Sequence, residues 1–248
     1  MSQDIIIDDS FSKLKEAFEK ELAKRKPKSK GLTPDLKRAH WERYAQKTAR
    51  QEVAFKRVFD NVFEGQKKFV VEEYQRTGQL PDGLNDKETA QKFQPVIELV
   101  YHSAFEDAVA SKTVKQIDEF ARNWIAERSL LLAKSINQTT LKALKDLFVS
   151  FEAGTTVAQA AKKIEHWFAD NEKWKAEMIA RTETIAVNNE AVLHRFELEN
   201  IEKSEWFASP SACVECDDEN GKIYLTKESH NLIPKHPNCK CMWLGVVE

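Results

Sequence analysis

The sequence predicts a mainly α-helical protein with a small C-terminal β element, an α+β arrangement with long N-terminal helices. Three observations point there. Only seven glycines and seven prolines punctuate 248 residues, too few for a many-stranded β fold. Long stretches place apolar residues three and four apart, the spacing of one helical face. All four cysteines fall in the last 36 residues, where the texture changes to short alternating runs. The length suffices for one large domain or two modest ones with a real core. With 31% charged residues and a mean hydropathy of -0.56 the composition is that of a soluble protein. No window approaches eighteen uninterrupted apolar residues, so no membrane-spanning helix is expected. A net charge of -2 argues against a globally basic nucleic-acid binder and leaves room for a local patch.

Residues 1–32 read as a leader and basic linker. Ile5-Ile6-Ile7-Asp8-Asp9 precedes a helix-like stretch from Ser10 to Leu22. The run from Lys24 to Lys30 repels itself and carries Pro27, so it reads as solvated chain. A contact with a polyanion is the alternative. A helical body is expected over 33–168. Thr33 caps free amides and Pro34 at the first helical position loses no bond. The pattern then runs to about Arg76, with Phe55, Phe59, Val62, Phe63, Gln66, Phe69, Val70 and Tyr74 on one face and Trp41 and Tyr44 extending it backwards. Such a helix would span roughly 60 Å, which predicts a helical hairpin or an arm against another chain. A break near Gly65 is the alternative.

Gly78 to Asn85 reads as a loop. A second helix is expected from Asp86 to Ser111, kinked or split at Pro95. A third should run from Val114 to Ser135, with Ile117, Phe120, Trp124, Leu131 and Leu132 in the core. Asn137 is expected to cap a fourth helix that Gly154 stops after Glu152. Thr155 or Thr156 would cap a fifth, ending near Phe168. A sixth, from Glu172 to Glu199, would bury Trp174, Met178, Ile179, Ile185, Val192, Leu193 and Phe196. Residues 169–248 form the last predicted domain. Within it Trp206-Phe207, Lys222 to Leu225 and Met242 to Val247 read as short strands, too small a sheet to be stable without support.

The sharpest chemical signal is Cys213-Val-Glu-Cys216 followed by His236-Pro-Asn-Cys239-Lys-Cys241. Zinc takes four soft or borderline donors in a tetrahedron, and two short groups joined by a longer loop supply them with little strain. Five candidates are enough to close the shell, which predicts a structural ion. If the terminus is extended, Cys239 and Cys241 share a face. His236 then replaces one of them or sits behind the ligands. Two disulfides or four free thiols are the competing readings. No secretory signal opens the chain, which favours a reducing compartment. His230, between the two cysteine groups, is a substitute ligand. His40, His102, His166 and His194 share no spacing and read as surface or satisfied core residues. No glycine-rich phosphate loop, HExxH or GxSxG string occurs.

Several strings then stand together: Ala180-Arg181-Thr182-Glu183-Thr184, Asn189-Glu190-Ala191, Trp206-Phe207-Ala208-Ser209-Pro210-Ser211-Ala212-Cys213, Asp218-x-x-Gly221-Lys222-Ile223-Tyr224 and the final His236 to Cys241 group. Their order and spacing resemble the phage Mu protein F-like, or minor head morphogenesis, family of tailed phages, most closely over about 170–247. Trp124-Ile125-x-x-Arg128-Ser129 and Ser135-Ile136-Asn137-x-Thr139-Thr140 resemble the segment that precedes this domain. The resemblance implies a non-enzymatic, virion-morphogenesis protein. It would act with the phage portal protein and the major capsid and scaffold proteins in procapsid assembly, and contact packaged DNA. It also implies a location in the virion head interior, or in the host cytoplasm during assembly, with no membrane and no secretion. With neither a portal-length N-terminus nor room for a toxin module, a free-standing minor head protein is expected.

Arg181, Glu183, Asn189 and Trp206 are the structural signature within those strings. Arg181 and Glu183 sit among Met178, Ile179 and Ile185, where a charge needs a partner. Two residues apart on a helix, they do not face each other. Each is expected to bind the backbone of the metal loop or the Trp206 strand. Two other function classes compete. The cysteine and histidine set distantly echoes zinc-stabilised HNH-type nucleases. A DNA-binding module would use Lys24 to Lys30 and an edge of Lys235 and Lys240, with steep salt dependence.

Overall fold

The computed structural model describes residues 32–109, 118–152 and 154–247, apart from the side chains of 172 and 173. The leader, the 10–22 helix, the basic run, the start of the third helix at Val114 and the core position Ile117 lie outside the described residues. Among the described residues four long helices precede the sheet: α1 (Pro34–Thr77), α2 (Asp86–Asp107), α3 (Glu119–Val149) and α4 (Val157–Leu198). Strands β1 (Lys203–Phe207), β2 (Ile223–Leu225) and β3 (Met242–Val246) follow, with one helical turn, α5 (Val214–Asp217), between β1 and β2. The protein is mainly α with a small C-terminal antiparallel sheet, as the sequence predicts.

Each helix start carries its own cap. The hydroxyl of Thr33 accepts from Leu36 N, with Pro34 in the first turn. Asn85 caps α2 and Asp118 caps α3 in the same way. Thr156 and Gln159 form a reciprocal capping box on α4, which satisfies two free amides at once. Helix α1 ends on Gly78, whose φ of 71° is the left-handed cap that a Cβ disfavours. It passes Gly65 unbroken.

Three helix boundaries differ from expectation. Pro95 lies inside a continuous α2. Asn137 does not start a helix: it is buried in the middle of α3. Its amide donates to Asp86 Oδ1 at 2.7 Å, and its carbonyl oxygen accepts from Gln66 Nε2 at 2.6 Å and from Thr89 Oγ1 at 3.4 Å. A side chain occupied by three tertiary partners on α1 and α2 has nothing left for capping. No break separates Phe168 from Glu172 either. Asn171 Nδ2 donates to Trp167 O at 2.9 Å within the helix, and Phe168 and Ala176 enter one core.

That core is built from Phe55, Phe59, Phe63 and Val70 of α1, Phe93, Ile97 and Tyr101 of α2, Ile125, Ile136 and Leu144 of α3, and Ile164 and Phe168 of α4. Each fully buried large side chain contributes about 1.5–3 kcal/mol, which stabilises helices whose propensity alone is marginal. Phe69, Phe120, Leu131 and Trp174, expected inside, are about half exposed or more. A three- and four-residue period admits positions at the rim of the apolar stripe, and these four occupy it.

Helix α4 continues into a second core. Ile185, Leu193 and Phe196 meet Trp206, Trp243 and three of the cysteines. The sheet has the order β2-β1-β3, all antiparallel, with Trp206 opposite Trp243 and Ser204 opposite both Tyr224 and Gly245. The two indoles meet edge to face at 5.3 Å, a preferred aromatic geometry. Gly245 is required by proximity: a Cβ there would lie 3.1 Å from the buried Phe196 ring. The sheet is thereby laid on the C-terminal half of α4, and the segments flanking α5 and β3 converge beside it. Among the described residues no helix is long and apolar enough to cross a membrane.

Candidate metal centre

After β1 the chain turns sharply. Ser209 accepts from Ala212 N through its carbonyl and from Ser211 N through its hydroxyl. Cys213 then occupies the position before α5, and Cys216 N donates to Cys213 O at 3.1 Å. This one turn of helix puts the two thiols on the same side. The second limb is also a turn: Cys239 N donates to His236 O at 3.2 Å, across Asn238 in the left-handed region at φ 65°.

The two limbs meet. His236 Nε2 lies 3.1 Å from Cys213 Sγ and 3.2 Å from Cys216 Sγ, and Cys216 Sγ lies 3.8 Å from Cys239 Sγ. Cys213, Cys216 and His236 form one group of convergent donors, and Cys216, Cys239 and Cys241 a second, with Cys216 in both. All five residues singled out from the sequence line one recess of about 90 Å³. Cys216, Cys239 and Cys241 are buried, and Cys213 is exposed.

The donor chemistry matches a tetrahedral ion. Zinc–thiolate bonds of about 2.3 Å place two sulfurs about 3.8 Å apart across a tetrahedral edge, the separation of Cys216 and Cys239. A disulfide needs about 2.05 Å, and none of the four cysteines forms one. His236 Nδ1 is 2.8 Å from Pro237 O. Donating its proton there turns the lone pair of Nε2 toward the thiols, as an orienting bond does behind a histidine ligand. The cluster can therefore hold a metal ion. Neither group of donors includes a carboxylate, and five protein donors leave no position that water must fill, the arrangement of a closed site.

The thiols differ in acidity. A hydrogen bond from Cys241 is the main cause that pulls Cys239 down to about 5, against the effect of burial. Burial, then the neighbouring Cys239 charge, pushes Cys216 up to about 12. Cys241 is raised chiefly by its hydrogen bond to Cys239. The amide of Cys216 lowers Cys213.

The signature residues surround this recess in unequal roles. Arg181 reaches it, with Nη1 donating to Asn238 Oδ1 at 3.1 Å and Nε to Glu52 Oε2 at 3.2 Å. Its partner there is a side chain of the loop, where backbone was expected. Thr182, between the two charges, accepts from Asn238 N at 3.3 Å. Glu183 does not touch the tail. It receives both Nε and Nη2 of Arg128, at 2.8 and 2.9 Å, because its position on α4 faces α3. Asn189 makes the connection expected of that pair, donating to Cys241 O at 3.3 Å and accepting from Trp243 N at 3.0 Å. Trp206 lies in the second core.

His230, the substitute ligand, lies in neither group of convergent donors and does not line the recess. Its ring is held between Glu190 Oε1 at 2.7 Å and Glu197 Oε1 at 3.3 Å on α4. His194 is a satisfied core residue, bonded to Tyr101 Oη and Asp118 Oδ2. Sequence reasoning missed Asn238 and Thr182, which signal only by standing beside named residues. It also missed Glu190 and Glu197, whose seven-residue spacing on one helix face was the available clue.

Residues 142–244 match the family model described as Phage Mu protein F like protein. No curated protein and no solved structure matches the chain significantly.

Proposed function

We propose, from the phage Mu protein F-like character of residues 142–244, that this chain is a minor head protein. It would act in procapsid assembly by binding portal and inner capsid subunits. A structural zinc ion would rigidify its C-terminal end. The ion takes four of Cys213, Cys216, His236, Cys239 and Cys241 and supplies cross-linking free energy to a three-stranded sheet too small to persist alone. The observation that carries this reading is the convergence of five donors from two separate turns on one recess. A closed donor set favours a docking element over a reaction centre.

The chain's own residues prepare the element. Asn189 fixes β3 and the Cys241 carbonyl on α4, Arg181 and Thr182 fix Asn238, and the indoles of Trp206 and Trp243 fill the space beneath. The result is a rigid surface at one end of a helical body, suited to a partner that must be met in a fixed orientation. Co-expression of the full chain with the portal and capsid proteins of the same genome tests it. Co-purification with either, lost when Cys216 and Cys239 are both changed to Ser, is the expected result. Turnover of plasmid DNA in the presence of magnesium, abolished by His236→Ala, would favour the nuclease reading instead.

DNA contact has less support. Lys235, half of the predicted basic edge, donates to Glu219 Oε1 at 2.7 Å and to Glu215 O at 3.2 Å. Its charge is engaged within the tail.

A further inference from the structure

Helix α1 is held by two different kinds of contact along its 44 residues. From Phe55 to Tyr74 it buries seven apolar side chains in the helical core. From Pro34 to Ala54 only Thr48 is buried, so the first five turns have no core of their own. Tyr44 packs on the second core, and the other ties of the first three turns are polar. Lys37 pairs with Glu205 of β1. Trp41 Nε1 donates to Lys240 O at 3.2 Å, between the two last cysteines. Tyr44 Oη accepts at 3.1 Å from Asn189, the residue that also holds the Cys241 carbonyl. Beyond Tyr44 the partners change. Lys47 donates to Ser103 O and Asp107 Oδ2 of α2, and Gln51 accepts from Asn188 of α4. Glu52 shares Arg181 with Asn238.

We infer that the metal centre is a latch for the first three turns of α1, residues 34–44: loading of the site sets whether this segment is docked on the tail. The inference rests on the metal-pinned reading above and concerns the site's regulation. The 239–241 strip carries the acceptor for Trp41 and shares the Asn189 amide with Tyr44. A loop that loses its fixed backbone positions takes the Lys240 acceptor from Trp41 and takes the Cys241 acceptor from the Asn189 amide on which Tyr44 rests. A helix segment of eleven residues that leaves the second core, where Tyr44 packs, is marginal in water, so release frays it. Residues from Lys47 onward keep partners on α2 and α4 and stay.

Amide hydrogen exchange on the full chain tests this, comparing zinc-loaded with chelated protein. Protection of amides in 36–46 should fall about tenfold or more on chelation, the scale of two or three lost hydrogen bonds, while 55–74 is unchanged. Loss of protection in 203–246 with 36–46 unaffected overturns the latch and leaves the metal reading standing. A chain that binds no zinc and shows no change overturns both. Exposure of 36–46 and 55–74 together contradicts the division at Lys47. A second variant keeps the metal: Trp41→Phe with Tyr44→Phe and Lys37→Ala should loosen 36–46 about tenfold with full zinc and an unchanged tail. Persistent protection in that variant overturns the latch.

Discussion

The backbone amide of Trp243 donates to Asn189 Oδ1 at 3.0 Å, and this bond is the midpoint of a four-way junction. The amide nitrogen of the same side chain donates to Ile185 O, Cys241 O and Tyr44 Oη. One buried side chain thus joins α4, α1, β3 and the cysteine loop. Burial raises the pKa of the Tyr44 phenol, which keeps it a neutral acceptor there.

Asn189→Ala strands the Trp243 amide and the Cys241 carbonyl in a dry interior. Each unsatisfied buried group costs about 1–3 kcal/mol, so a loss of about 2–4 kcal/mol is expected. Urea denaturation reads it as a lower midpoint at an unchanged slope. A loss under about 1 kcal/mol would contradict the junction.

The Arg128–Glu183 fork is a second joint, between α3 and α4, and it is largely sheltered, with side-chain exposures of 26% and 10%. Removing one partner leaves a charge in poor surroundings. Breaking a buried pair costs about 3–5 kcal/mol, and partial exposure reduces that to about 1–3 kcal/mol. Glu183→Gln and Arg128→Met in a double-mutant cycle should show a favourable coupling. Additive effects would mean that the fork is incidental.

His230 gives the pH dependence a sign. The Glu190 carboxylate, then that of Glu197, raises its pKa, against desolvation. A raised folded-state value means stability fully present below the unfolded value of about 6.5 and lost as pH rises through the folded value. The stability advantage of the unaltered chain over His230→Asn, both zinc-saturated, should shrink as pH rises above the unfolded value of about 6.5. An advantage that grows with pH would show the ring to be held neutral.

Asn137 tests the helical body independently of the tail. Asn137→Leu fills the volume but leaves Gln66, Thr89 and Asp86 without their shared partner. A loss of about 2–3 kcal/mol is expected, with zinc stoichiometry unaffected. A neutral substitution would show that water replaces the side chain.

What the sequence makes visible is local chemistry. Thr33-Pro34 marks a helix start by capping alone, and the run from Phe55 to Tyr74 shows its face by spacing. The cysteine and histidine strings contain all five convergent donors, and His230, the alternative between them, is held by Glu190 and Glu197 instead. What stays hidden is partner choice across the chain. Asn137 reads as a cap until α1 and α2 supply three partners for it. Glu183 reads as a tail anchor until Arg128, 55 residues earlier, faces it. The stretch between Phe168 and Glu172 looks like a boundary, yet the helix runs through it unbroken. Local signals name what a residue is able to do, and packing decides which of those things it does.

The account turns on whether two turns of the terminus share an ion. Elemental analysis with native mass measurement of the purified full chain addresses that directly. One zinc per chain is expected, lost when Cys216 and Cys239 are both replaced by Ser. A metal-free chain whose 203–246 amides remain protected from exchange would contradict it.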